Sequence, residues 1–179
     1  SHGWPAGLFD ICMVEKPRAA FHRAMWNDEP MVRIAVRGNA LDIDHGRDLW
    51  QWPNMGAIWN FPRAYEGLVI EVNTTTNCER VALFHNGNEM GVRRTADYPN
   101  HTITWCLPYR RGTLVAKGIN GTDTVAVHEI RTAGDAVRLK TTADRGKLMA
   151  DGQDLSYVQV ELLDKDGTLV QHADRHVKA

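Results

Sequence analysis

Carboxylates are the side chains of this sequence that could most directly carry out acid–base chemistry. Hydrolysis of a bond between two sugars requires a pair of them about 5 to 9.5 Å apart. The glutamates fall on strand patterns, in turns or before the first helix, and their spacing brings no two together. They are Glu15, Glu29, Glu66, Glu71, Glu79, Glu89, Glu129 and Glu161. Because the chain also lacks a GxSxG motif and the phosphate-binding glycine loops, no catalytic residue is predicted.

The cysteines and histidines indicate neither a metal site nor a cofactor site. Cys12, Cys78 and Cys106 are odd in number and form no CxxC motif. A bridge from Cys78 to Cys106 stays open if their strands are neighbours, although buried free thiols are favoured. His172 and His176 follow a strand pattern, so they would not share a helical face as zinc ligands do. No metal and no cofactor are therefore expected.

An acidic loop at 42–48, "DIDHGRD", could suggest calcium because it holds three aspartates around a glycine. In the EF-hand loop, however, the glycine follows the third acidic ligand, and a glutamate comes six residues later. The loop departs from that order, which favours a polar surface loop.

Aromatic side chains are concentrated in residues 49–62, "LWQWPNMGAIWNFP". Flat exposed rings of this kind stack on the apolar faces of sugars, which makes Trp50, Trp52 and Trp59 weak candidates for carbohydrate binding. Tryptophan, large and partly polar, also seals the edges of a core, and this second interpretation is favoured.

The elements that position these residues are one short helix and many strands. Pro17 suits the first turn of a helix over residues 17–26, with Phe21, Ala24 and Met25 forming its apolar stripe. A helix of about ten residues is too short to be stable alone and must dock on another element.

From residue 31 onward the apolar period changes to two, which is typical of strands. Turn residues separate the strands at intervals of about ten residues, and Asn86-Gly87 predicts a type I′ hairpin. The predicted strands are 31–37, 68–74, 80–86, 90–94, 101–107, 113–119 and 124–130. This cadence predicts an all-β fold, an immunoglobulin-like β-sandwich.

A second set of strands follows the break at 131–135. It comprises 136–142, 157–164 and 168–173, with a turn at Gly167 that requires positive φ. A complete sandwich of this kind takes about 100 residues, so the second unit is expected to be incomplete.

Composition excludes two classes of partner. A net charge of −1 lacks the excess of lysine and arginine that a nucleic-acid surface requires. No apolar run approaches the roughly 18 residues of a membrane span. Neither a nucleic acid nor a membrane is expected as a partner.

Several stretches together resemble glycoside hydrolase family 2 enzymes of the β-galactosidase type. "YEGLVIEVNTTTNCERVALFHNGNEMGVRR" is similar to a family hairpin, and residues 113–173 are similar to the block after it, with "TAGD" and "ADGQDL". "GLFDICMVEKPRAAFHRAMW" resembles the last helix of the (β/α)8 catalytic barrel, and "LWQWP" another family element. The resemblance runs from about residue 7 to 173.

The resemblance implies three segments. Residues 1–28 would be a remnant of the barrel's last helix, 29–133 a β-sandwich domain, and 134–179 an incomplete second immunoglobulin-like β domain. The family's catalytic glutamates belong to barrel strands upstream of residue 1, so no residue here inherits their role and this fragment is predicted to be inactive.

The implied function is that of a non-catalytic C-terminal region that supports the barrel and shapes the substrate cleft of the parent glycoside hydrolase. Its partners would be the rest of the parent enzyme and a carbohydrate, and the resemblance favours a periplasmic or extracellular location. The alternatives are an autonomous carbohydrate-binding module that uses the tryptophans, and a module that binds another protein through an exposed strand edge.

Overall fold

The computed structural model describes residues 7–10, 13–37 and 55–171. These residues form a helix and ten strands, and the chain divides after residue 132 into two compact units. The elements are α1 (Pro17–Trp26), β1 (Val32–Arg37), β2 (Met55–Gly56), β3 (Val69–Thr76), β4 (Arg80–His85), β5 (Asn88–Arg94), β6 (Thr102–Pro108), β7 (Thr113–Asn120), β8 (Asp123–Arg131), β9 (Arg138–Ala143) and β10 (Val158–Leu163).

The first unit contains two four-stranded antiparallel sheets. Sheet 1 has the order β2-β1-β3-β6 and sheet 2 the order β5-β4-β7-β8. The chain therefore crosses between the sheets after β3, β5 and β6, in the manner of an immunoglobulin domain. The predicted all-β sandwich is confirmed. Strand β2 pairs with β1 at the edge of sheet 1, and it is a short strand that the sequence pattern did not predict.

The core of the first unit follows from the two-residue period of the strands, because alternate side chains point to the same face. On β3, for example, Ile70 and Val72 are buried in the core, whereas Val69 at the strand start is 64% exposed. The fully or almost fully buried core residues include Val32, Ile34, Val81, Leu83, Ile103, Trp105 and Leu114. The sequence alternation thus sets which face of each strand is inward.

The turns form where the sequence predicts them. Asn86 and Gly87 have φ values of 52° and 81°, the left-handed values that a type I′ hairpin requires at both central residues. Gly167 has a φ of 85° in the turn after β10.

Helix α1 docks on the sandwich through small side chains. Its buried residues are Ala19, Ala20 and Ala24, and the last two pack with Met31 at the start of β1. The predicted stripe was therefore wrong in part: Ala24 is buried, but Met25 is 45% exposed. Alanines let the helix approach the sheet closely, and this turns the larger side chains outward.

The second unit contains the antiparallel hairpin of β9 and β10. Opposite residues share a face, which makes one face apolar, with Leu139, Val158 and Val160. The other face carries an ion pair of 3.0 Å between Lys140 and Glu161.

The third strand predicted in the second unit, 168–173, is not a regular strand over its described part. Leu169 forms an isolated bridge to Leu163, and residues 172–173 lie outside the described residues. The Asp164 carboxylate explains the difference, because it accepts hydrogen bonds from the backbone N–H groups of Asp166 and Thr168 and holds this segment in a tight turn.

Candidate functional site

The aromatic cluster around Trp59 is the part of the predicted site that the structure describes. Trp59 is 1% exposed, and its Nε1–H donates to the carbonyl oxygen of Arg110 at 3.1 Å. Tyr109, Phe61 and His85 contact the indole edge to face, with ring centroids 5.0, 6.1 and 5.6 Å away. Burial leaves Trp59 no free ring face, so it cannot stack on a sugar while the sandwich is folded.

Hydrogen bonds fix the segment that carries Trp59. Thr132 Oγ1 donates to the Trp59 carbonyl at 2.7 Å, and the Phe61 N–H donates to the Tyr109 hydroxyl at 3.3 Å. Residues 59–61 are thus tied both to the end of β8 and to the segment after β6. This arrangement stabilises the sandwich, as expected for an indole that seals a core.

The remaining residues singled out by the sequence lie largely outside the described part of the chain. Trp50, Trp52, the acidic loop at 42–48, Cys12, His172 and His176 fall there. Trp50 and Trp52 remain predicted candidates for carbohydrate binding.

The cysteine bridge left open by the sequence does not form. Cys78 is a buried free thiol and Cys106 an exposed one. Within the described ranges there is no group of three or more histidine, cysteine or acidic side chains that could hold a metal ion. The same residues contain no helix with the length and apolarity of a membrane span.

A charged cluster joins the segment before α1 to the sandwich. Glu15 accepts a hydrogen bond from Arg23 of α1 at 3.2 Å, and the Nε atom of Arg33 on β1 lies 3.8 Å from the same carboxylate. These contacts border a cleft of about 220 Å³ that His128 also lines. The carboxylate thereby links the helix to sheet 1.

His128 connects the two sheets at their open edge. Its Nδ1 accepts a hydrogen bond from the backbone N–H of Ile34 at 3.0 Å, which requires a neutral ring with the proton on Nε2. Burial, with the positive charge of Arg33 beside it, lowers the pKa of His128 from 6.5 to about 4, although Glu15 opposes the shift. The ring is therefore neutral at pH 7.

Sequence reasoning missed Glu15 and His128 as interacting residues. A signal existed for His128, because it occupies an inward position of β8, between Ala126 and Ile130, where the alternation calls for an apolar side chain. Nothing in the sequence pairs it with Ile34, which lies on β1, 94 residues away.

A polar network covers the outward face of sheet 1. The Glu71 carboxylate accepts hydrogen bonds from Arg37 at 3.1 Å and from Asn73 at 3.0 Å. Thr104 donates to the Asn73 amide oxygen at 2.9 Å, and Asn73 is only 4% exposed. The carboxylate is fully engaged in these contacts, which suits a structural role better than proton transfer.

Comparison with protein families gives two matches. Residues 67–126 match a domain of unknown function, DUF4982. Residues 139–179 match glycoside hydrolase family 2 C-terminal domain 5. The second match lies within the second unit.

Two curated proteins are similar over nearly the whole chain. A β-galactosidase from Bacteroides ovatus is 29% identical over 98% of this chain, which spans 18% of that protein. A putative β-glucuronidase from Formosa agariphila is 28% identical over 96% of this chain, which spans 15% of that protein. The chain therefore spans less than a fifth of the length of either relative.

Two solved structures are similar to this chain. A glycosyl hydrolase family 2 member from Bacteroides cellulosilyticus superposes with a TM-score of 0.83 at 33% identity, over 93% of this chain and 22% of that protein. A β-glycosidase from Bacteroides vulgatus, with a TM-score of 0.71 at 24% identity, shares the fold.

Proposed function

We propose that this chain, which corresponds to the C-terminal region of glycoside hydrolase family 2 enzymes, supports the catalytic domain of a longer glycosidase without performing catalysis itself. The observation that carries the proposal is an apolar surface formed by α1 and described residues of the segment before it. The chain spans about a fifth of the relatives it matches, so most of such an enzyme would lie outside it.

This α1 surface consists of large apolar side chains that the sandwich does not cover. Trp26 is 79% exposed and Met13 75% exposed. Large exposed apolar patches mark interaction sites on protein surfaces. The members of the α1 surface are Leu8, Phe9, Met13, Val14, Met25 and Trp26.

The two sides of α1 have different chemistry. The alanine side packs on the sandwich, and the Glu15 carboxylate fixes the helix through Arg23. The other side presents Met25 and Trp26 outward. The helix is therefore fixed to the first unit on one side and exposes large apolar side chains on the other. Such a helix is suited to join that unit to a second domain. We assign the second domain as the catalytic barrel.

This region would have an architectural role in the longer enzyme and not a catalytic one. It would hold the barrel and contribute to a wall of the substrate cleft. The carboxylates of Glu15 and Glu71 serve ion pairs and side-chain hydrogen bonds. Hydrolysis of a glycosidic bond would be carried out by the rest of the longer protein.

The test of this role compares the longer protein with the 179-residue chain. Replacing Met25 and Trp26 together by serine should lower the unfolding free energy of the longer protein by about 3 kcal/mol or more, because two large buried side chains are lost. The same pair of changes should leave the 179-residue chain almost unaffected. The control is the double replacement of Val92 and Val127, which are 47% and 56% exposed on sheet 2. Equal losses in both proteins would contradict the proposal.

The absence of catalysis is tested separately with the isolated chain. We expect no turnover of an aryl β-galactoside or an aryl β-glucuronide at high protein concentration. Glu89→Gln serves as the control, because this glutamate follows the Asn86-Gly87 turn and is exposed. Turnover that disappears in Glu89→Gln would show that the chain has its own catalytic carboxylate.

A carbohydrate-binding module remains the second candidate function. Burial of Trp59 removes one of its three predicted aromatic residues. The candidate therefore depends on Trp50 and Trp52. Titration of galactose and oligosaccharides against Trp50→Ala and Trp52→Ala variants tests it.

A further inference from the structure

An open groove at one end of the first unit is not used by the proposed architectural role. It has a volume of about 670 Å³, within the range of about 300 to 1,000 Å³ that small-ligand sites occupy. The turn between β3 and β4 and the connection from β5 to β6 form its walls. The groove is lined by Asn77, Cys78, Glu79, Arg80, Arg94, Thr95, Ala96, Tyr98, Asn100 and His101.

Two arginines on neighbouring strands line this groove. Arg80 of β4 and Arg94 of β5 are directly paired in the register of sheet 2. Side chains at such positions have Cβ atoms about 4.5 to 5.5 Å apart, and like charges there destabilise the pair. Both residues lie in the phase opposite to the inward Val81, so both guanidinium groups are on the outward side.

Neither guanidinium group is neutralised by a carboxylate in the described part of the chain. Arg80 donates to the carbonyl oxygen of Gly121, which carries no full charge. The nearby Glu79 carboxylate accepts a hydrogen bond from the Gly121 N–H at 2.9 Å. Glu79 thus fixes the same turn from the other side. The groove retains two cationic groups against one anionic group.

The floor of the groove is rigid. Thr95 Oγ1 donates to the Cys78 carbonyl at 2.6 Å, and the Thr95 N–H donates to the Glu79 carbonyl at 2.9 Å. Asn77 is fully used, since its amide bonds to the backbone of Asn27, Glu29 and Met31. The polar walls therefore do not need a ligand to be ordered.

Groups that can form hydrogen bonds with the hydroxyls of a ligand lie in the same groove as the arginines. His101 Nδ1–H donates to the Thr76 carbonyl at 3.2 Å, which orients the ring and leaves Nε2 as an acceptor. Asn100 adds an exposed amide, and Tyr98 adds part of a ring. Amide, imidazole and aromatic groups next to a cationic pair can recognise a ligand that carries both hydroxyls and an anion.

We propose that this groove binds an acidic saccharide, with Arg80 and Arg94 holding its carboxylate or sulfate group. A guanidinium group presents paired N–H donors that match both anions. The choice of a saccharide rests on the proposed function, whereas the choice of an anion rests on the arginine pair.

The experiment titrates the 179-residue chain by calorimetry with trigalacturonate, neutral galactotriose and inorganic sulfate. Trigalacturonate should bind more tightly than sulfate, and galactotriose should not bind measurably. Arg94→Gln and Arg80→Gln should each weaken trigalacturonate binding about tenfold or more, because a charge-assisted hydrogen bond is lost. Arg131→Gln is the matched control, since it removes the same charge at the far end of the outward face and should leave binding unchanged.

A second measurement separates loss of binding from loss of folding. Without ligand, Arg94→Gln should leave the denaturation midpoint almost unchanged, because the Arg94 side chain is exposed. The proposal would be overturned if the chain bound sulfate but not trigalacturonate, or if it bound galactotriose as tightly as trigalacturonate. It would also be overturned if both groove variants kept the affinity of the unchanged chain for trigalacturonate. None of these results would touch the architectural role, whose test is the stability of the longer protein.

Discussion

The two units of the chain are built from the same strand pattern but differ in what their apolar faces contact. In the first unit, residues such as Val72 and Leu83 are fully buried between two sheets. In the second unit, the matching face of the β9–β10 hairpin is open, with Val158 57% exposed and Val160 49% exposed. Alternation creates an apolar face in both cases, but only a second layer buries it.

The same two-residue alternation of apolar side chains therefore contributes different amounts of stability to the two units. A two-stranded hairpin is marginal in water, whereas two packed sheets form a core of interior density. We therefore expect the two units to respond differently to equivalent changes. In the longer protein, we propose that further structure covers the open face of the second unit.

The largest effect is expected for the aromatic cluster of the first unit. Trp59→Ala should lower the unfolding free energy by about 3 to 5 kcal/mol, because it leaves a cavity and removes the hydrogen bond from the indole to the Arg110 carbonyl. Tyr157, 73% exposed in the second unit, is the matched aromatic control, and Tyr157→Ala should cost under about 0.5 kcal/mol. Denaturant midpoints measure both. Similar costs for the two changes would break the comparison.

The next effect concerns pH and the first unit. The pKa of His128 is about 4 in the folded protein and 6.5 when unperturbed, so its contribution is complete above pH 6.5 and is lost as the pH falls toward 4. Allowing for solvent at a half-buried ring, we expect a loss of about 2 kcal/mol. Urea midpoints from pH 7 to pH 4 measure it. His128→Gln should flatten the profile, and an unchanged slope would refute this explanation.

A smaller, local pH effect is expected in the second unit. Hydrogen bonds from the backbone N–H groups of Gly134, Thr168 and Asp166 hold the pKa of Asp164 below its usual 3.8. Its contribution is therefore present above pH 3.8 and is lost only as the pH falls through the lower folded value. Amide exchange at Thr168 should rise in that range and in Asp164→Asn at neutral pH. If this turn opened in the same pH range in which His128 is protonated, the prediction of separate pH ranges for the two units would be contradicted.

The smallest effect is expected for the open face of the second unit. Val160→Thr in the 179-residue chain should change the unfolding free energy by under about 0.5 kcal/mol, since the side chain is half exposed. In the longer protein the cost should rise to about 1 kcal/mol or more if the face is covered. Denaturation of both proteins provides the measurement. The same small change in each would show that the face stays open.

Much of the fold is predictable from local patterns. The bounds of α1, the two-residue period of the strands and the positive φ of Asn86 and Gly87 all follow from neighbouring residues. The buried side of α1 does not follow from neighbouring residues. By hydrophobicity alone Phe21 and Met25 would be expected in the core, but the helix lies close to the sheet and buries alanines instead. The short strand β2 has too few residues to give a pattern of its own.

The candidate site divides in the same way. The sequence by itself determined the β-sandwich and the concentration of tryptophans, because alternation and composition are local properties of the chain. Only the tertiary structure decided that Trp59 is buried, that His128 accepts a hydrogen bond from Ile34, and that Arg80 and Arg94 line one open groove. Burial and pairing depend on which distant strands meet, and two-residue alternation gives the face of each residue without naming its partner.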